Sequence, residues 1–408
     1  MPRVPRLPRR ESKHLFSKAP LIRYDGGMVA TKVTRHIYKG IDMKTLALLS
    51  LLLAPLSLSA QEKDKLFNRP VAESNPLRTE QARELDEYIK LIAEDKSILK
   101  AVFQPDYSST AAFEKSAEPY RKAFCDSIGY PPPGDRPAEG ISLKEIGRDS
   151  IAVYYRAMIP ILPGVHSEGI YIIPKTVQGK APLVISMHGG GGSPEVALFN
   201  GGSNYNDMVR GAAKRGYVVY APQHLFRAEG YPGDIRRRID DRMRLIGTSI
   251  TAVEIAKITY AIDELVKRPE VDPKRIAMVG LSYGGFYAQV TPAIDTRIKV
   301  SVSSCYFGVQ EYRYERDELS VPTDFRFPSR FTLFDDADKV ALIAPRSHQI
   351  QAGASDNDSH RAKGAEIAPR AKAFYEKLKL RDRFEHVIFD GGHEFDDESA
   401  WRFVEKHL

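Results

Sequence analysis

Cysteine and tryptophan are scarce in this chain: two of the former and one of the latter in 408 residues. Cys125 and Cys305 lie far apart, so they form no disulfide framework, even where export would permit one. Cys305 falls in the apolar run Val300 to Tyr306, which suits a buried free thiol. Neither H-E-x-x-H nor a paired-cysteine spacing occurs, so no cofactor and no catalytic metal are expected. No apolar run reaches the length that spans a bilayer. Even the excess of positive charge is local. The net charge is +7, yet residues 1–42 hold ten Lys/Arg against three Asp/Glu and account for all of it. The remainder is balanced, so the basic pI does not point to nucleic acid as a partner.

What is present begins with the front end. Met43-Lys44-Thr45 opens a short basic region, Leu46 to Leu58 is a nearly unbroken apolar run, and Ser59-Ala60-Gln61 offers small residues for cleavage. This is the layout of a signal peptide. No cysteine follows it, so no lipid anchor is indicated. The expectation is that translation starts at Met43 and that residues 1–42 are a non-native upstream extension. Residues 43–60 then serve as signal peptide, and the product is exported, periplasmic or secreted, with no stable membrane insertion after cleavage. The Pro/Arg richness of residues 1–42 fits a segment that does not fold.

Residues 61–141 read as a linker and N-terminal helices packing on the main domain. Helical spacing joins Leu85, Tyr88, Ile89 and Ile92, and again Phe113, Ala117, Tyr120, Phe124 and Ile128. From residue 142 to 408 the pattern changes. Ile151, Val153 and Tyr155 alternate, and Gly169 to Pro174 follows, giving an antiparallel opening pair. Short apolar runs at 183–187, 217–220, 275–281, 299–306, 348–352 and 385–389 then alternate with helical stretches, including 248–267 and 397–407. Such alternation predicts a mostly parallel, doubly wound α/β sheet.

One stretch organises the rest. Gly280-Leu281-Ser282-Tyr283-Gly284 follows an apolar strand and opens a helix, the setting of a G-x-S-x-G nucleophile elbow. A serine hydroxyl needs a base to ionise it at neutral pH, and the base needs an acid to orient it. His393, in Asp390-Gly391-Gly392-His393, sits on the loop after the last strand. His386 begins that strand and His360 begins a helix, which makes both weaker choices. Asp356 follows the preceding strand, with Asp358 as the reserve acid. For the oxyanion, the Tyr283 backbone N–H comes directly after the serine, and His188-Gly189-Gly190-Gly191-Gly192 follows an earlier strand. Those glycines lack the lysine and Ser/Thr of a Walker loop and the spacing G-x-G-x-x-G. His188 reads as a loop-shaping residue. The run Arg236-Arg237-Arg238 reads either as a solvated face or as a seat for an acidic sugar. Residues 306–330 are aromatic and irregular, consistent with a lid or pocket wall.

With these residues in place, the chain from about Ala117 to its C-terminus resembles the α/β-hydrolases of the acetyl xylan esterase and dienelactone-hydrolase-like group. The resemblance rests on His188-Gly189-Gly190-Gly191, on Asp272 to Ile276 leading into Gly280 to Gly285, on Gly353-Ala354-Ser355-Asp356 and on Gly391-Gly392-His393. It implies the α/β-hydrolase fold and a triad of Ser282, Asp356 and His393. It also implies an oxyanion hole from Tyr283 with Gly189, Gly190 and Gly191, and deacylation of small-molecule or polysaccharide esters, acetyl xylan-like, through an acyl-enzyme. The paired Asp356 and Asp358 depart from the family pattern and leave the acid open between them. A serine peptidase or acylaminoacyl hydrolase of the same fold is the alternative, as is a catalytically silent binding protein. Oligomeric state leaves no mark in the sequence.

Overall fold

A computed structural model describes residues 71–199, 203–226, 235–308, 323–357 and 361–408. Residues 1–60, expected to be an upstream extension and a signal peptide, lie outside the described residues, as do Asp358, His360 and residues 309–322 of the expected lid or pocket wall. Two units divide at Glu80. The first contributes only residues 71–80 to the description.

Helix α1 (Asn75–Glu94) buries none of its residues. The expected packing of this helix is thus not seen: Leu85 and Tyr88 are exposed. Apolar spacing alone could not distinguish a face that packs from one that remains in water. Helix α2 (Ser97–Val102) follows, then α3 (Thr110–Ile128). Ser109 caps α3 through its side chain, and Gly129 ends it at φ 71°, a left-handed turn that glycine tolerates. All five of its predicted apolar positions are buried.

The main domain is built on a nine-stranded sheet in the order β1-β2-β3-β5-β4-β6-β7-β8-β9. Strands β1 (Ser142–Arg148), β2 (Ala152–Leu162) and β3 (Val165–Pro174) pair antiparallel, one strand more than the expected pair. β1 is almost wholly exposed, and its lack of alternation hid it. On β2, Ala152 and Tyr154 are buried in one apolar layer and Ala157 in the other, while Val153 and Tyr155 are half-buried. Strand β4 (Ala181–Met187) leads to α4 (Pro194–Leu198) and α5 (Met208–Lys214), and β5 (Val218–Pro222) to α6 (Ile235–Leu245) and α7 (Ile250–Leu265). Strand β6 (Val271–Leu281) runs into α8 (Tyr283–Ile294), followed by β7 (Ile298–Ser304), α9 (Arg330–Leu333) and α10 (Asp336–Ile343). Strand β8 (Ser347–Gly353), α11 (Ala362–Lys377), β9 (Phe384–Phe389) and α12 (Asp397–His407) complete the chain.

From β4 through β9 all neighbouring strands are parallel, with β4 between β5 and β6. Every loop after these strands therefore opens on one rim. Two apolar layers cover the sheet. On one face Met208, Val209 and Ala212 of α5 meet Trp401, Phe403 and Val404 of α12. On the other, Tyr120 and Phe124 of α3, Ile255 and Ile262 of α7 and Phe286 of α8 form one cluster with Ile343 of α10. Parallel strands buried on both sides read as unbroken apolar runs, which is why β4 and β5 were legible.

Polar groups are also buried in this sandwich. His348 on β8 meets the hydroxyl of Ser301 at 2.7 Å, and His188 and His224 follow β4 and β5. Burial holds His188 down to about 4 and, with the Arg346 charge, His348 to about 3, while His224 falls well below the ordinary value. Each is neutral when folded and gains a proton more readily when unfolded. Above a pH of about 6.5 neither state is protonated and stability is unaffected. Below it the unfolded chain binds the extra protons, so stability should fall by about 1.4 kcal/mol per pH unit for each such histidine. For His188 and His348 the loss levels off once pH drops past their folded values. Urea denaturation across this acid range should show the slope, and His348→Gln should flatten it; a slope unchanged in that variant contradicts the account.

Candidate active site

The elbow is a backbone problem before it is a chemical one. Ser282 stands at φ 60° and ψ −116° between β6 and α8, a conformation rarely adopted by a residue with a side chain. The turn is so tight that a methyl on Gly280 would lie 2.3 Å from the Gly284 carbonyl oxygen. One on Gly284 would lie 2.2 Å from that of Met187. Both obstacles are backbone, which cannot swing aside. This is why the spacing demands glycine on either side of the serine. The Ser282 N–H donates to the Ser304 carbonyl at 2.8 Å, tying the elbow to the end of β7.

His393 and Asp356 come together on the same rim. The loops after β8 and β9 are laced by Ala354 N–H to Phe389 O at 2.8 Å and Ser355 N–H to Gly391 O at 2.9 Å. Asp356 is buried, and its Oδ1 lies 3.0 Å from His393 Nδ1. The same oxygen accepts the Asn357 N–H at 2.7 Å. With the carboxylate ionised, Nδ1 carries the imidazole proton and Nε2 is left basic. The His393 side chain is 37% exposed, so it is open to a solute. Two further bonds fix its loop. Ser304 Oγ donates to Glu394 O at 2.9 Å, and Asn204 Nδ2 donates to His393 O at 3.0 Å. Ser304 thus links the amide of Ser282 to the residue beside His393.

The glycine loop stands against the elbow: a methyl on Gly189 would be 3.6 Å from Ser282 Cβ. Not all its amides are open. The Gly189 N–H donates to the Tyr205 hydroxyl at 2.9 Å, and the Gly192 N–H to Gly189 O at 3.1 Å. Gly189 therefore differs from Gly190 and Gly191, with which it was grouped. His188 is buried with its Nδ1 2.8 Å from Gly189 O, and His224 Nε2 lies 2.8 Å from His188 O. Their rings stack at 3.8 Å. His188 shapes the loop, as expected. Neither Tyr205 nor His224 had a sequence signal, because each acts through a contact distant along the chain.

The arginine run splits in two. Arg236 is buried, in an ion pair with buried Asp324, and its Nη2 donates to the Tyr283 hydroxyl at 2.6 Å. The hydroxyls of Tyr283 and Tyr287 both donate to Asp324. The Arg236 guanidinium also lies 4.8 Å from the centre of the Tyr283 ring. Arg237 and Arg238 are exposed. Arg236 is thus a brace under the residue that follows Ser282 rather than a solvated charge. Arg236→Ala should strand a buried carboxylate and lower stability by about 3–5 kcal/mol. Arg237→Ala should stay within about 0.5 kcal/mol of the unsubstituted protein. Urea midpoints for the two variants decide; equal effects contradict this division.

The dienelactone hydrolase family model matches residues 168–340. That span holds the glycine loop and Ser282 and stops short of Asp356 and His393. YtaP of Bacillus subtilis (strain 168), a candidate hydrolase, is 28% identical over 255 residues, or 58% of this chain and 82% of that one. Two solved structures share the architecture. A candidate acetyl xylan esterase from Bacteroides fragilis NCTC 9343 aligns with TM-score 0.56 at 16% identity, covering 76% of this chain and 88% of its own. A glucuronoyl esterase from Solibacter usitatus gives TM-score 0.56 at 15% identity, covering 74% and 96%. Identities this low speak for the fold alone. The chain thus has the α/β-hydrolase fold, and its residues 168–340 are similar to the dienelactone hydrolase family.

Proposed function

We propose that the protein is an exported serine esterase that removes acyl groups from small-molecule or carbohydrate esters through an acyl-enzyme. The observation that carries this reading is the 3.0 Å pair of His393 Nδ1 and Asp356 Oδ1, on the same rim as the strained Ser282. The candidate acetyl xylan esterase and the glucuronoyl esterase of like fold support a carbohydrate ester. The apolar run from Leu46 to Leu58 supports export.

In this reading Ser282 Oγ attacks the ester carbonyl while His393 Nε2 takes its proton. Asp356 holds the imidazole in the tautomer that leaves Nε2 free and stabilises the charged ring. The Tyr283 N–H, at the first turn of α8, and an amide from Gly190 or Gly191 meet the oxyanion. The Gly189 amide serves the loop instead, through Tyr205. When the tetrahedral adduct collapses, the alkoxide leaves with the proton held by His393. Water then attacks the acyl-serine, His393 accepting a proton from it and returning that proton to Ser282. The two acyl transfers sum to hydrolysis, with no cofactor consumed.

A fluorophosphonate probe should label the protein once per chain, and Ser282→Ala should abolish labelling. Steady-state ester hydrolysis should fall by about 10⁴-fold or more in Ser282→Ala and His393→Ala, and steeply in Asp356→Asn. Asp358→Asn should stay close to the unsubstituted rate. Loss of activity in Asp358→Asn alone would move the acid to the reserve position. Well-folded protein that takes no label would favour the silent binding protein. Turnover of aminoacyl amides in preference to acetylated xylan and methyl glucuronoyl esters would favour the peptidase.

A further inference from the structure

Three strand tips bring a third polar group to the acid and base. Cys305 is the first residue after β7, buried, at φ 52°. Its N–H donates to Gln351 O at 2.8 Å, which fixes this left-handed turn. The side chain is thereby aimed across the tips of β8 and β9. Its Sγ lies 3.2 Å from Glu394 O, so the thiol donates there. Cys305 Sγ, a carboxylate oxygen of Asp356 and a ring nitrogen of His393 all lie within 4.8 Å of one another.

From this geometry we infer that Cys305, Asp356 and His393 form an inhibitory site for a thiophilic divalent cation such as Zn²⁺. Sulfur, nitrogen and oxygen donors together match zinc, which takes four ligands in a tetrahedron. Bond lengths of about 2.0–2.3 Å put tetrahedral donors about 3.3–3.7 Å apart, within a small side-chain adjustment of what is seen. Water supplies the fourth position, reached past the part-exposed imidazole of His393.

The proton balance explains the inhibition, a step that rests on the reading of His393 as general base. The cation binds Nδ1, so the proton there passes to Nε2. The imidazole stays neutral, but its outward nitrogen now bears hydrogen and cannot take a proton from Ser282. The thiol loses its proton to solvent on forming the Zn–S bond. One proton is thus released per cation. Because one proton leaves for each cation bound, apparent affinity should rise as pH rises.

The test uses the full chain stripped with a chelator. Zn²⁺ should inhibit ester hydrolysis at one equivalent, with one proton released per cation in calorimetry across buffers. Co²⁺ should produce thiolate-to-metal charge-transfer absorption, retained in Cys125→Ala and lost in Cys305→Ala. Against its own metal-free rate, Cys305→Ala should need at least tenfold more Zn²⁺ for half-inhibition. Cys305→Ser, which keeps a donor to Glu394 O, serves if the alanine variant does not fold. A cobalt complex without a thiolate band, or equal zinc inhibition in folded Cys305 variants, overturns the site. A Cys305-dependent band with hydrolysis untouched upholds the cation site and counts instead against His393 as base.

Discussion

The strained backbone of Ser282 is the constraint on which the rim depends. A residue with a side chain held at such angles costs about 1–3 kcal/mol, so its surroundings must over-determine it. They do so through backbone, the least yielding part of a protein. The Ser282 N–H is held by Ser304 O, its own carbonyl accepts the Phe286 N–H at 3.0 Å, and the turn fits against Met187. Because Met187 ends β4 and Ser304 ends β7, the elbow is clamped between the strands on either side of β6. The parallel pairing is therefore what makes the conformation tenable.

The same clamp gathers the remaining groups. Ser304 uses its carbonyl for Ser282 and its hydroxyl for Glu394, so one residue sets the spacing of the elbow and the histidine loop. Beneath the glycine loop the stacked neutral imidazoles of His188 and His224 hold two successive carbonyls. Beneath Tyr283, Arg236 and Asp324 form a charge pair that also engages two tyrosine hydroxyls. Buried polar networks of this kind are stabilising only when their members are matched. Here they fix the backbone of the glycine loop and of Tyr283 above them.

The sequence exposed those parts whose cause is local. The apolar runs of β4, β5 and β6 were readable because strands covered on both faces need no alternation. The elbow was readable because steric exclusion acts over two residues. The pairing of Asp356 with His393 was readable because chain order and strand ends narrow the choice. What escaped depends on partners far along the chain. Tyr205 meets Gly189, and Arg236 meets Asp324, through contacts no periodicity encodes. The exposed edge strand β1 carries little pattern of its own, and the stripe on α1 had the spacing of a packed helix without the packing.

Cys305 shows how one environment can make a group both inert and latent. A thiolate at this position would repel the Asp356 carboxylate and expose a reactive sulfur. Burial removes both difficulties by keeping the sulfur protonated, with its hydrogen given to Glu394 O. That protection acts against spontaneous ionisation only. A cation lowers the thiol's proton affinity directly, and its positive charge is welcomed by the Asp356 carboxylate that disfavours the bare thiolate. Asp356, whose charge disfavours the bare thiolate in the metal-free site, is thus also a ligand once such a cation arrives.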